Sequence, residues 1–335
     1  MHAVVFAGSG GPEVITIATV PTSEPGPGQI RVRVRAAGLN RADLMQRRGH
    51  YPAPAGWPAD IPGLEYAGEV DALGAGSYRW GVGARVMGLV GGGAQADAVI
   101  VHENEGIPVP AGLSFEEAAA IPEAFLTAYD ALVTRARVAP GERVLIHAVG
   151  SGVGTAAAQI AKHLGATVLG TSRSADKLVR AREYGLDEGI DTSDGGFARA
   201  LAEPVNVVLD VLGGPALPEN LAVLAPRGRL VLLGWLLGSQ VDADFNPVLR
   251  KRLEIIGTVM RTRQHEERAA LVREFTERML PLFAQGRVGS RPALRPVLDR
   301  AVPMERLAEA HAAMERNETF GKLVGTWSVE PLSPR

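Results

Sequence analysis

The chain has 335 residues, no cysteine, a formal net charge of −2 and 21% charged residues. This length accommodates two domains with separate cores, and the near-neutral balance offers no basic patch for nucleic acid. The missing cysteines exclude disulfides, thiolate catalysis and cysteine-ligated zinc, and no apolar run reaches the ~18 residues of a membrane span.

The first residues, MHAVVFAGSGGPEVI, lack the charged and long apolar regions of a signal peptide, so a cytoplasmic location is expected. Residues up to about 122 read as a β-rich domain. Short strands at 3–6 and 14–17 flank a turn at 9–12. Residues 29–37 alternate without a break: Ile30, Val32 and Val34 lie on one face, Arg31, Arg33 and Arg35 on the other. That is a half-exposed strand with a solvated arginine row. A loop enters a short helix within 38–49, and four prolines in 51–62 preclude regular structure there. Glu69 and Val70 open another strand, and 80–86 reads as a turn feeding a strand. Gly91, Gly92 and Gly93 suit close approach by a ligand or another backbone. Ser114 and Glu117 have capping-box spacing for a helix at 115–120; Pro122 interrupts, and a second helix spans 123–135.

From 141 to about 260 strands and helices alternate. Val144, Leu145 and Ile146 form a buried parallel strand, the chain turns at Gly150-Ser151-Gly152-Val153-Gly154, and Val153, Ala156, Ala157, Ile160, Ala161 and Leu164 recur at helical spacing. Gly165 sits at the C-cap position, and 167–171 is a second strand. Strand, glycine turn, helix and strand together seat a dinucleotide pyrophosphate on a helix N-terminus. In this reading Gly150 makes the tight turn, Gly152 admits the phosphate and Gly154 lets the helix pack close. The spacing is G-x-G-x-G rather than the strict G-x-G-x-x-G. Strands at 189–191, 205–211 (ending at Gly213 and Gly214), 229–234 and 254–260 complete a six-stranded doubly wound sheet. Helices at 174–184, 217–224 and 247–253 lie between them. Helices at 264–285 and 304–316, with strands at 292–299 and 321–329, return to the first domain. No internal repeat or low-complexity tract is present.

The segments LNRADLMQ (39–46), AAIPEA (119–124), LIHA (145–148), SGVGTAA (151–157), LRPVLDR (294–300) and GK (321–322) carry a family likeness. Over nearly its whole length the sequence resembles the zinc-free medium-chain dehydrogenase/reductases of the quinone oxidoreductase, or zeta-crystallin, group. It is most similar to the tumour-suppressor-inducible quinone oxidoreductase branch. The resemblance implies an α/β chain: a GroES-like β-rich catalytic domain at 1–122, completed by 264–335, and a Rossmann doubly wound parallel sheet domain at 123–263. Zinc-containing relatives have a cysteine near the position of Asn40 and Arg41, and a His-Glu pair where this chain has Leu64-Glu65. Tetrahedral catalytic zinc therefore cannot be assembled, and no metal is expected.

An NAD-specific site places an acid at the end of the second strand, but this chain reads Thr171-Ser172-Arg173, with no acid until Asp176. Ser172, Arg173 and Lys177 suit a 2′-phosphate, so NADPH is the expected cofactor. The resemblance adds cofactor contacts at Thr127, at Gly150, Ser151, Gly152, Val153 and Gly154, at Gly213, and at Lys322 facing the pyrophosphate. It places Tyr51, Asn40 and Arg263 (or its neighbour Arg261) at the acceptor. Glu65 is read as a buried relic paired with Arg41 or Lys322, and His147 as a core histidine. The expected activity is zinc-independent NADPH:quinone reduction by electron or hydride transfer. An NADPH-dependent enone or enoyl reductase and an NADPH-binding structural or regulatory protein stand as alternatives. The expected partners are a small-molecule quinone or enone and further copies of the chain, as a homodimer or tetramer, with neither nucleic acid nor membrane.

Overall fold

The computed structural model describes residues 1–283, 287–288 and 291–328. They divide into two units: 1–123 with the described parts of 260–286 and 295–335, and 124–259 with the described parts of 287–294.

In the second unit six parallel strands lie in the order Glu188–Asp191, Thr167–Ser172, Arg143–Ile146, Val205–Asp210, Leu224–Leu232, Glu254–Gly257. Numbered along the chain this is 3-2-1-4-5-6, the doubly wound order whose switch point lies between strands 1 and 4. Val144, Leu145, Ile146, Val207 and Val208 are wholly buried. Such burial is why these strands read as continuous apolar runs rather than alternations.

The first unit is a mostly antiparallel sheet knitted from both ends of the chain. Lys322–Thr326 pairs with the long strand Gln29–Gly38, which also pairs with Glu65–Leu73 and Ala98–His102. Ile30, Val32 and Val34 enter a core that includes Tyr66, Val86, Met304, Leu307 and Leu323. The opposite face is not the solvated row expected: the Arg31 and Arg35 side chains are 18% and 19% exposed and held by carboxylates, Arg31 by Asp71 and Glu24, Arg35 by Glu69. Two register shifts bend the long strand at Arg31/Val32 and Val34/Ala36.

The Ser114–Glu117 capping box forms in both directions, at 3.2 and 2.9 Å. Pro122 separates two helices as expected, Phe115–Ala119 and Pro122–Tyr129, but it does so as the first residue of the second, where its missing N–H costs nothing; a π-helical stretch, Asp130–Arg135, follows. The strand expected from Glu69 already begins at Glu65. The helix expected over 264–285 is His265–Arg278, followed by a 3-10 turn around Pro281; residue 285 lies outside the described residues. The strand expected at 292–299 survives only at its ends, as Arg291–Pro292 and Leu298–Pro303, and the stretch between, which holds Pro296, is not strand. The last strand is Lys322–Thr326, and Val329 lies outside the described residues. Strand 254–260 stops at Gly257, and residues 260–263 join the first unit because the buried side chain of Arg261 bonds there.

Candidate active site

In the second unit the glycine turn follows the first strand. Ser151 caps the helix Gly152–His163, accepting the Gly154 N–H at 3.0 Å. The Gly152 and Val153 amides, one residue earlier in that first turn, have no intrahelical acceptor, and both residues are only half-buried. They form a ready anion site at the positive end of the helix. A Cβ on Gly154 would stand 2.5 Å from the Ala148 carbonyl oxygen, so glycine is required there. The left-handed residue of the turn is Ala148 (φ 50°), however, and not Gly150.

At the end of the second strand Ser172 accepts the Ser174 N–H at 3.1 Å, and Ser174 caps the helix Ala175–Ala181. Arg173 is exposed and Lys177 half-buried. Asp176 points elsewhere, 4.0 Å from Arg180. At the fourth strand's end Gly213 has φ 94°, and a Cβ there would stand 2.5 Å from the Gly238 carbonyl. Thr127, on the helix Pro122–Tyr129, is buried with its hydroxyl unpaired among the described residues; it does not bond its own helix backbone. Open first-turn amides, a basic strand end and an orphan hydroxyl fit a nicotinamide dinucleotide. His147 is the core residue expected, fully buried between Thr171 and Asn220.

In the first unit a polar cluster surrounds the helix Arg41–Arg47. Asn40 caps it: its amide N–H donates to Asp43 Oδ2 at 2.7 Å, its Oδ1 accepts from Lys322 at 2.6 Å, and its Nδ2 donates to Glu65 Oε1 at 2.9 Å. Glu65 is wholly buried; Oε1 meets the Lys322 ammonium at 2.5 Å and Oε2 accepts the Glu123 N–H at 2.7 Å. The ammonium also donates to the Leu39 carbonyl at 2.7 Å. All three of its protons are thus spent within the first unit, which corrects the expectation that Lys322 reaches a pyrophosphate. The pairing of Glu65 falls to Lys322 and not to Arg41, which bonds Asn317.

Arg261 takes the place expected of Arg263. Its guanidinium lies 4.7 Å from the Tyr51 ring centroid and donates to the carbonyls of Tyr51 and Gly91 and to Gln46 Oε1 at 2.7–2.9 Å. Arg263 turns to Glu267 instead, at 3.4 Å. Tyr51 is half-buried, and burial raises its hydroxyl above the usual phenol value although Arg261 pulls it down. Asp43 is buried beside this group with Oδ1 unpaired among the described residues. Burial pushes its carboxyl up to about 6 against the pull of the Asn40 amide, Lys322 and Arg261. Asp43 escaped the sequence reading as a site residue, the Asn40-x-x-Asp43 capping spacing being its one visible signal; Arg261 entered that reading only as the alternative to Arg263.

Residues 152–277 match the family model described as zinc-binding dehydrogenase, and residues 26–111 match the alcohol dehydrogenase GroES-like domain. A quinone oxidoreductase of Pseudomonas aeruginosa is 33% identical over 96% of this chain and 98% of its own. The crystal structure of a human synaptic vesicle membrane protein VAT-1 homolog-like protein superposes with a TM-score of 0.83 at 31% identity, covering 99% of each chain. That of CurK enoyl reductase gives 0.82 at 28% identity, covering 98% of this chain and 99% of its own. The zinc in the first family description does not fit these residues: no cysteine exists, Leu64 precedes Glu65, and a lysine ammonium already occupies Glu65.

Proposed function

Since the chain belongs to the medium-chain dehydrogenase/reductase family, of the quinone oxidoreductase type, and is an oxidoreductase of that family, we propose that it reduces quinones with NADPH and without zinc. The observation that carries the cofactor choice is the strand end Ser172-Arg173, with Lys177 one turn on and no acid to meet a ribose 2′-hydroxyl. Gly152 and Val153 offer their amides to the pyrophosphate, and the Thr127 hydroxyl is left for the cofactor. When bound, the nicotinamide supplies two reducing equivalents.

The first unit's part is to hold a flat acceptor. Arg261 locks one face of the Tyr51 ring, and the prolines of 51–62 lower the cost of ordering that loop. The other face of the ring is the stacking surface for a quinone. A quinone needs no protein acid for its reduction, since protons from water complete the hydroquinone. The 33% identical quinone oxidoreductase supports this reading. One observation favours a second reading, an enone reductase: the Tyr51 hydroxyl stays protonated at neutral pH and so could protonate a reduced C=C bond. Turnover of a panel of quinones and enones, each with NADPH and NADH, tests both. Quinone turnover with NADPH preferred is the expected result; turnover of enones alone transfers the assignment to the second reading.

A further inference from the structure

Beneath the glycine turn a buried polar chain joins three strand ends. Thr171 is the penultimate residue of the second strand, His147 follows the first and Asp210 ends the fourth; Asn220, on the helix Leu217–Val223, links them. Thr171 Oγ1 lies 2.9 Å from His147 Nδ1, His147 Nε2 lies 2.8 Å from Asn220 Oδ1, and Asn220 Nδ2 lies 3.1 Å from Asp210 Oδ2. Asp210 Oδ1 accepts the amides of Leu212 at 2.6 Å and Gly213 at 3.2 Å. His147, Asp210 and Asn220 are each at most 1% exposed.

The direction of every bond follows from one end. The Asp210 carboxylate only accepts, so the Asn220 amide presents nitrogen to it and oxygen to His147. Nε2 of His147 must then carry the proton. Burial holds the imidazole below its usual value and hence neutral, so Nδ1 is bare and takes the Thr171 hydroxyl proton. The other titratable group facing His147 is Glu219, which is engaged by the amides of Phe197 and Ala198 at 2.7 and 2.8 Å. Phe197 packs its ring edge-on against the imidazole at 4.6 Å.

We propose that His147, fixed as its neutral Nε2–H tautomer, is a positioning residue that locks the Leu212–Gly213 turn to the end of the second strand, and so sets how tightly the dinucleotide is held. The proposal rests on the cofactor reading given above. The chain fastens together the strand end that bears Ser172 and Arg173 and the Gly213 turn, two places 40 residues apart that one dinucleotide would touch. A partly satisfied chain would leave buried polar atoms unpaired, which is costly, so the geometry is held as a whole or lost as a whole.

The test uses the full chain and measures NADPH affinity together with the nitrogen NMR signals of His147. The expected tautomer has Nε2 protonated and Nδ1 bare. Thr171→Val should weaken NADPH binding about 3- to 10-fold, as loss of one buried hydrogen bond implies, and Thr171→Ser should restore it. Asn220→Asp places two carboxylates in contact that share a proton only in acid. Its affinity loss relative to the unmodified chain should therefore grow about tenfold from about pH 6 to about pH 8. An Nδ1-protonated neutral ring, or equal affinity in Thr171→Val, Thr171→Ser and the unmodified chain, overturns the proposal, as does a loss in Asn220→Asp that does not vary with pH. An unmodified chain that binds no nicotinamide dinucleotide brings down the cofactor reading itself, a result distinct from any of these.

Discussion

In the proposed reading, Arg173 and Lys177 decide the choice of cofactor. Neither can help NAD, whose ribose hydroxyl wants an acceptor, and both attract a phosphate. Replacing both by alanine should remove roughly 2–4 kcal/mol of NADPH binding, with partial overlap between the two, and leave NADH binding nearly unchanged. Titration of each variant with both cofactors measures this, and equal affinities in the unmodified chain would refute it. Tyr51 separates the two proposed chemistries. If the ring only stacks, Tyr51→Phe should leave turnover nearly unchanged and Tyr51→Ala should raise KM about tenfold, or roughly 1.4 kcal/mol. If the hydroxyl protonates an enone, Tyr51→Phe should lower kcat by about 10²–10⁴. Asp43 adds a pH signature. Its folded pKa of about 6 lies above the ordinary 3.8, so its neutral form favours folding. That contribution is complete below about pH 4 and is lost as pH rises through about 6, a change of about 3 kcal/mol. Asp43→Asn keeps an acceptor for the Asn40 amide, so it should raise stability at neutral pH and leave it unaltered near pH 4. Denaturant unfolding at the two pH values measures the difference.

The ends of three strands and two helices meet at Glu65. This carboxylate opens its own strand; Lys322 opens the last strand, Asn40 caps the helix after the long strand, and the Glu123 amide begins the step towards the second unit. A single buried cation therefore fastens elements 282 residues apart in sequence. Lys322→Met should destabilise the chain by about 3–5 kcal/mol, because it strands a buried carboxylate. Adding Glu65→Gln should recover much of that loss, since the buried charge leaves with its partner. Recovery of nothing in the double variant would mean that the lysine acts through packing alone. The elements themselves were readable where one local signal sufficed: the alternation of 29–37, the Ser114–Glu117 cap, the glycine turn. They were misplaced where the deciding fact was distant. Nothing near Arg261 tells that Gly91, Gln46 and Tyr51 will claim its guanidinium rather than that of Arg263. Nothing near Lys322 tells that Glu65 will outbid a phosphate, because each answer depends on strand pairing across most of the chain.

At the scale of the whole molecule, the doubly wound order follows from alternating strands and helices, and the return of the C-terminal strand to the first unit was also expected, but not its antiparallel pairing with Gln29–Gly38. Pairing register does not announce itself in a five-residue strand such as Lys322–Thr326. Assembly is the remaining question at this scale, and the second unit supplies the argument. Glu254–Gly257 is the last strand of its sheet, with one edge paired to Leu224–Leu232 and none on the other among the described residues. The same unit exposes large apolar side chains at Trp235, Leu236, Leu237, Phe245, Leu249 and Ile255, with Leu249 80% exposed. Each alone is unremarkable on a protein surface, but together with an open strand edge they are an association hazard unless covered. We predict that two copies join through these edges, extending one sheet across a two-fold axis and covering the apolar side chains. Light scattering at micromolar concentration should give a dimer or a tetramer built from it. Leu249→Glu combined with Ile255→Glu should shift it to monomer, because like charges would be buried in the shared interface without a partner. A monodisperse monomer of the unmodified chain would end this prediction, and would leave the apolar patch to be explained by something other than a second copy.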